Sequence, residues 1–102
     1  MILRDIAHVR TGDKGDISQI AVIAYHSEHF ALLAKAVTAE RVAAHLGDLS
    51  IRQIRRFELA GIGAVNFVLE GALRGGVTRS LALDAHGKTL GAQLLDLVID
   101  PQ

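Results

Sequence analysis

The chain has no cysteine and no tryptophan, a single proline, and only one tyrosine and three phenylalanines among its 102 residues. The absence of cysteine excludes a disulfide framework, a thiolate nucleophile and a zinc–thiolate centre, and it fits a cytoplasmic protein. So few aromatic rings leave little for stacking on bases. Eleven basic and eleven acidic residues cancel, and neither sign runs in a block, so the electrostatic footprint of a nucleic-acid binder is missing. No apolar run approaches the roughly twenty residues of a membrane span, and Met1-Ile-Leu-Arg-Asp5 becomes charged too early for a secretory leader. These absences predict a soluble, cytoplasmic chain with neither nucleic acid nor membrane as partner.

What the chain does have is aliphatic bulk. Half its residues are apolar, only 22% are charged, and the mean hydropathy is +0.31. The length predicts one domain over residues 1–102. A short chain cannot bury every aliphatic side chain internally. The surplus therefore reads either as an interface or pocket in a homo-oligomer or hetero-oligomer, or as a core rich in alanine and leucine.

Imperfect alternation over Ile2–Val9 suits a strand, with Leu3, Ala7 and Val9 on one face and Ile2, Ile6 and His8 on the other. Ile20-Ala-Val-Ile-Ala24 is a short β-branched run that predicts a central strand covered on both faces. Ser27 offers an N-cap, and Phe30, Leu33, Ala34 and Val37 recur at helical spacing. Thr38 can cap a second segment through Val42, Ala43 and Leu46, so residues 28–46 form one broken helix or two short ones, stopped by Gly47. Ile51 to Leu59 reads as a half-exposed edge strand, with Ile51, Phe57 and Leu59 facing one way and Arg52, Arg56 and Glu58 the other.

Beyond Gly61 and Gly63, the spacing of Val65, Val68, Leu69 and Ala72 or Leu73 predicts a helix over residues 64–73, ended by Arg74-Gly-Gly-Val-Thr78. Leu81 and Leu83 mark a further strand before the turn Ala85-His-Gly87. A last strand is expected through Leu95, Leu97 and Ile99, before Pro101. The order ββαβαββ gives an α+β domain, a ferredoxin-like sandwich with an extra N-terminal strand and two helical regions on one face of a mixed or antiparallel sheet. A small doubly wound α/β unit is the alternative.

Two loops concentrate the chemistry. Gly12-Asp-Lys-Gly-Asp16 packs three charges between two permissive glycines. Its spacing is wrong for a P-loop, and Asp13 with Asp16 supplies only two carboxylates where calcium takes about six oxygens or more. A metal would need outside ligands such as Gln19 or Asn66, so neither a metal nor another cofactor is expected. The functional reading gives Lys14 an anionic group to neutralise, with Asp13 or Asp16 orienting it or acting as general base. The plain alternative is a tight turn with Lys14 paired in solvent, worth at most about one kcal/mol.

The second loop, Arg74-Gly-Gly-Val-Thr-Arg79, offers exposed amides and guanidinium groups as a cradle for carboxylate or phosphate, or else a glycine C-cap with solvated arginines. Whether the two loops meet in space decides how far the functional reading can go. His8 is a candidate to orient an aspartate or serve as acid or base. His26, His29, His45 and His86 share no metal-ligand spacing and read as surface residues. Asn66 interrupts an apolar segment, so its amide needs a partner if buried. Ser18 and Ser80 lack a nucleophile-elbow context.

Together, Arg10-Thr-Gly-Asp-Lys-Gly-Asp16, Ala64-Val-Asn-Phe-Val-Leu69 and Gly75-Gly-Val-Thr-Arg-Ser-Leu81 make the chain resemble the small ferredoxin-fold domain associated with acyclic terpene utilisation proteins. That domain occurs at the C-terminus of a larger protein or as a separate short chain. The resemblance implies a ferredoxin-like fold and partnership with a larger catalytic subunit in the catabolism of branched acyclic compounds, processed as acids or acyl-CoA thioesters. This chain departs from the family pattern at Gln19, Ala21, Tyr25 and Arg74, where the family often has Asn, Gly, Arg and Gly.

The expectation is an accessory small subunit, not catalytic alone. Asp13, Lys14, Asp16 and His8 are its candidate catalytic groups, and Gly12, Gly15, Asn66, Gly75, Gly76, Thr78 and Arg79 are its candidate binding groups. A non-enzymatic, self-associating module whose loops are structural clasps is the alternative.

Overall fold

The computed structural model of the chain describes residues 1–14, 17–46, 53–71 and 91–99, with the side chains of Asp13 and Lys14 excepted. Four strands form an antiparallel sheet: β1 (Ala7–Lys14), β2 (Ile17–Ala24), β3 (Gln53–Leu59) and β4 (Ala64–Glu70). Their spatial order is β1-β2-β4-β3. Two short helices, α1 (Phe30–Ala36) and α2 (Ala39–His45), connect the β1–β2 hairpin to the β3–β4 hairpin. The arrangement is α+β and ferredoxin-like. No helix among the described residues is long and apolar enough to cross a membrane.

One face of the sheet packs against the helices. Register places Val9, Val22, Val65 and Glu58 in one cross-strand row and Thr11, Ile20, Phe67 and Arg56 in the next. Ile20, Val22, Val65, Phe67 and Leu69 are fully buried there against Leu33, Val37 and Val42 of the helical layer. Each such side chain contributes about 1.5–3 kcal/mol through burial, which is what holds two seven-residue helices too short to persist alone.

The break between the helices falls at Val37–Thr38, and the Arg41 amide donates to Thr38 Oγ1 at 3.1 Å, so Thr38 caps α2 as expected. Ser27 does not cap α1. It begins a 3-10 turn, Ser27–His29, with no side-chain cap bond. The carbonyls at the end of α1 are met by two arginines instead. Arg41 donates to Ala36 O at 3.0 Å, and Arg56 of β3 donates through Nε to Val37 O at 3.0 Å and through Nη2 to Ala34 O at 2.5 Å. Cations suit a helix C-terminus, where unsatisfied carbonyls carry partial negative charge.

Those arginine contacts reverse the expected faces of β3. Arg56 and Glu58 turn toward the helices, whereas Phe57 and Leu59 lie on the opposite, open face and are 47% and 42% exposed. The helix expected over residues 64–73 is also corrected. Residues 64–70 are the central strand β4, paired with β2 on one side and β3 on the other, with Val65, Phe67 and Leu69 buried at period two. An apolar run this short satisfies both periods, and the two neighbouring strands decide between them.

At the N-terminus the expected strand starts late. Residues 3–5 form a 3-10 turn because the Ile2 amide donates to Asp5 Oδ2 at 2.8 Å, while the Leu3 and Arg4 amides donate to Leu97 O and Leu95 O. The strand expected through Leu95, Leu97 and Ile99 reduces to an isolated bridge between Ile2 and Val98, preceded by a helical turn at residues 91–94. That turn lies close on β1: a Cβ at Gly91 would come within 2.7 Å of Thr11 Cγ2 and 3.1 Å of Val9 Cγ2. β2 is central as expected, but Ala21 and Ile23, on its face away from the helices, are only half-buried. Gly47, the strand expected at Leu81 and Leu83, and the turn at Ala85–Gly87 lie outside the described residues.

Candidate functional site

The first glycine motif is mostly strand. Gly12, Asp13 and Lys14 are the last three residues of β1, paired with Gln19, Ser18 and Ile17. Because Lys14 pairs with Ile17, only Gly15 and Asp16 separate the two strands in sequence, and both lie outside the described residues. Gly12 is exposed in extended backbone, and a Cβ there would meet no atom within 4 Å. Neither conformation nor space requires glycine at this position.

The register also fixes the end of β4, the strand that precedes the second motif in sequence. Ile17 also pairs with Glu70, so the β1–β2 turn and the end of β4 share one end of the sheet. Gly71 follows at once, and Gly75 is four residues further on, a chain reach of at most about 14 Å. At this same end Glu70 Oε2 accepts from Arg55 Nη2 at 2.8 Å, an ion pair exposed enough to add little stability. Gly75, Gly76, Thr78 and Arg79 lie outside the described residues.

The other candidates fall elsewhere. His8 lies on the open face near the start of β1, five residues or roughly 17 Å along the strand from Asp13. Its ring stacks on Tyr25, with centroids 5.2 Å apart and an interplanar angle of 24°. Asn66 is half-buried in the middle of β4, opposite Ala21 and Phe57, and shares the open face with Gln19 of the neighbouring strand. Thus Gly12, Gln19 and Asn66 occupy one face of three adjacent strands, while His8 is carried to the far end. Among the described residues no group of three or more His, Asp or Glu side chains could hold a metal.

Two features escaped the reading of the sequence. Ser18 is fully buried on the packed face, across from Asp13 and Leu69, and its Oγ has no hydrogen-bond partner among the described residues. Counting period two back from Ile20 and Val22 would have placed it inside. The exposure of Phe57 and Leu59 also went unseen, because it depends on Arg56 of the same strand turning inward.

The model of the AtuA ferredoxin-like domain matches residues 1–100. The chain belongs to the AtuA ferredoxin-like domain family. The match spans all three segments that carried the resemblance, from the β1 motif through β4 to the second glycine motif. No curated protein and no solved structure matches the chain. In this AtuA ferredoxin-like domain the β1–β2 turn lies beside the C-terminal end of β4, and the second glycine motif follows β4 in sequence, outside the described residues.

Proposed function

We propose that this chain is an accessory small subunit that pairs with a larger protein of the acyclic terpene utilisation type. It contributes its two glycine motifs to a site for an acidic or acyl-CoA-type catabolic intermediate. The observation that carries this reading is the pairing of Ile17 with Glu70, which sets the β1–β2 turn at the sheet end from which the second motif departs. Lys14 and Arg79 then supply cationic groups for a carboxylate or phosphate, and glycine amides add donors around them. Asp13 or Asp16 orients the bound group or removes a proton from it. Asn66, further down β4 on the open face, is a candidate to hydrogen-bond a more distant part of the ligand.

Co-expression with the larger protein tests the reading. A stable heteromeric complex is expected, with turnover of a branched acyl-CoA thioester that falls at least about tenfold in Lys14→Ala and Arg79→Ala while the fold is unchanged. A well-folded chain that never associates, or a complex indifferent to both substitutions, contradicts it.

A further inference from the structure

We infer that Arg10 is a further ligand-binding residue, and that an oxyanion, carboxylate or phosphoryl, sits over the bare backbone of Gly12 between Arg10 and Lys14. Arg10 thereby joins the site proposed above and rests on that reading for the anionic character of its ligand.

β1 sets these three residues in line. Alternation along the strand puts Arg10, Gly12 and Lys14 on one side, in the successive rows that begin Arg10–Ala21–Asn66, Gly12–Gln19–Val68 and Lys14–Ile17–Glu70. Arg10, Gly12 and Gln19 are all exposed, and β1 stands at one end of the strand order. At about 3.4 Å per residue the two cationic positions are roughly 14 Å apart, with Gly12 midway between them. The midpoint is within reach of a long side chain from either position, and Gly12 puts no side chain of its own there.

The fold does not ask for glycine at this place. Gly12 is extended, a Cβ would meet no atom within 4 Å, and glycine weakens a strand through the freedom it loses on folding. Glycine inside a strand marks a bulge, a bend, or the close approach of a ligand or another backbone, and the unbroken register from Ala7 to Lys14 leaves close approach. The neighbours select a ligand. Two cationic residues flank the position, and Gln19 opposite it adds an amide donor, a set that matches an oxyanion. A neighbouring backbone would bring no charge to meet them. Glu70 shares the row of Lys14 two strands away, but its carboxylate is engaged by Arg55 Nη2 at 2.8 Å.

Amide NMR titration of the full chain with inorganic pyrophosphate, and separately with isovalerate, tests this and distinguishes a phosphoryl from a carboxylate group. At least one probe should shift the amides of Arg10–Gly12 and Ser18–Ile20 saturably. Arg10→Gln, and Gly12→Val, which sets a branched side chain on the bare backbone, should each weaken that binding at least about tenfold without lowering the thermal midpoint. Arg4→Gln, at an exposed cation that pairs with Asp96 in the turn before β1, should leave binding intact. Shifts from neither probe, binding that survives both β1 substitutions, or an equal loss in Arg4→Gln overturns the inference. None of these outcomes touches the subunit reading, which fails when the complex does not form or is indifferent to Lys14→Ala and Arg79→Ala.

Discussion

Arg56 Nε donates to the carbonyl oxygen of Val37 at 3.0 Å, tying an edge strand to the end of a helix nineteen residues earlier in the chain. That contact, with the second one to Ala34, faces Arg56 toward the helices and Phe57 away from them. Arg56→Met keeps most of the stem but leaves both carbonyls without this donor. It should cost about 1–3 kcal/mol. Urea denaturation should show a lower midpoint with an unchanged slope, because the surface exposed on unfolding stays the same.

Gly91 tests how closely the turn at residues 91–94 sits on β1. A methyl at this position would meet Thr11 Cγ2 at 2.7 Å and Val9 Cγ2 at 3.1 Å, so Gly91→Ala should destabilise by about 1–3 kcal/mol. Adding Thr11→Ser removes the nearer methyl. The double variant should recover part of the loss, read as a non-additive double-mutant cycle.

Two other glycines should behave oppositely. Gly63 has φ of +66°, closing the turn between β3 and β4, so Gly63→Ala should cost about 1 kcal/mol. Gly12 is extended with open space at its Cβ, so Gly12→Ala should be neutral or stabilise by about 0.5 kcal/mol. Thermal melts of the pair check both signs. If Gly12→Ala keeps stability yet lowers activity with the larger protein, the glycine serves a close approach rather than the fold.

Much of the fold was legible because short-range patterns set it. Thr38 caps α2, the β-branched run of β2 became a central strand, and the Phe30–Leu46 stretch became two helices. The errors share a cause. Residues 64–70 fit both a helix and a strand, and only pairing with β2 and β3 selects the strand. The faces of β3 depend on Arg56 finding helix carbonyls that no local pattern announces. At the site, no local pattern announces the Ile17–Glu70 pairing, a contact between residues far apart in the chain that sets the β1–β2 turn beside the end of β4. His8 looked close to Asp13 in sequence, yet extension along β1 separates them.

Loss of the α2 cap gives a simpler check on the helical layer. Thr38→Ala should cost about 1 kcal/mol, because the Arg41 amide loses its acceptor at 3.1 Å, while Thr38→Ser should retain most of the stability. Chemical denaturation of the two variants side by side separates the hydroxyl from the methyl.

The proposed function requires the two glycine motifs to share one end of the sheet. Since the chain has no cysteine, Arg79→Cys offers a unique site for a nitroxide label whose paramagnetic broadening can be read by NMR. The account predicts broadened amides at Gly12–Ser18 and at Glu70–Gly71, with His8, Tyr25 and Leu59–Ala64 unaffected. Broadening centred on His8, Tyr25 and Leu59–Ala64, with Gly12–Ser18 unaffected, would contradict it.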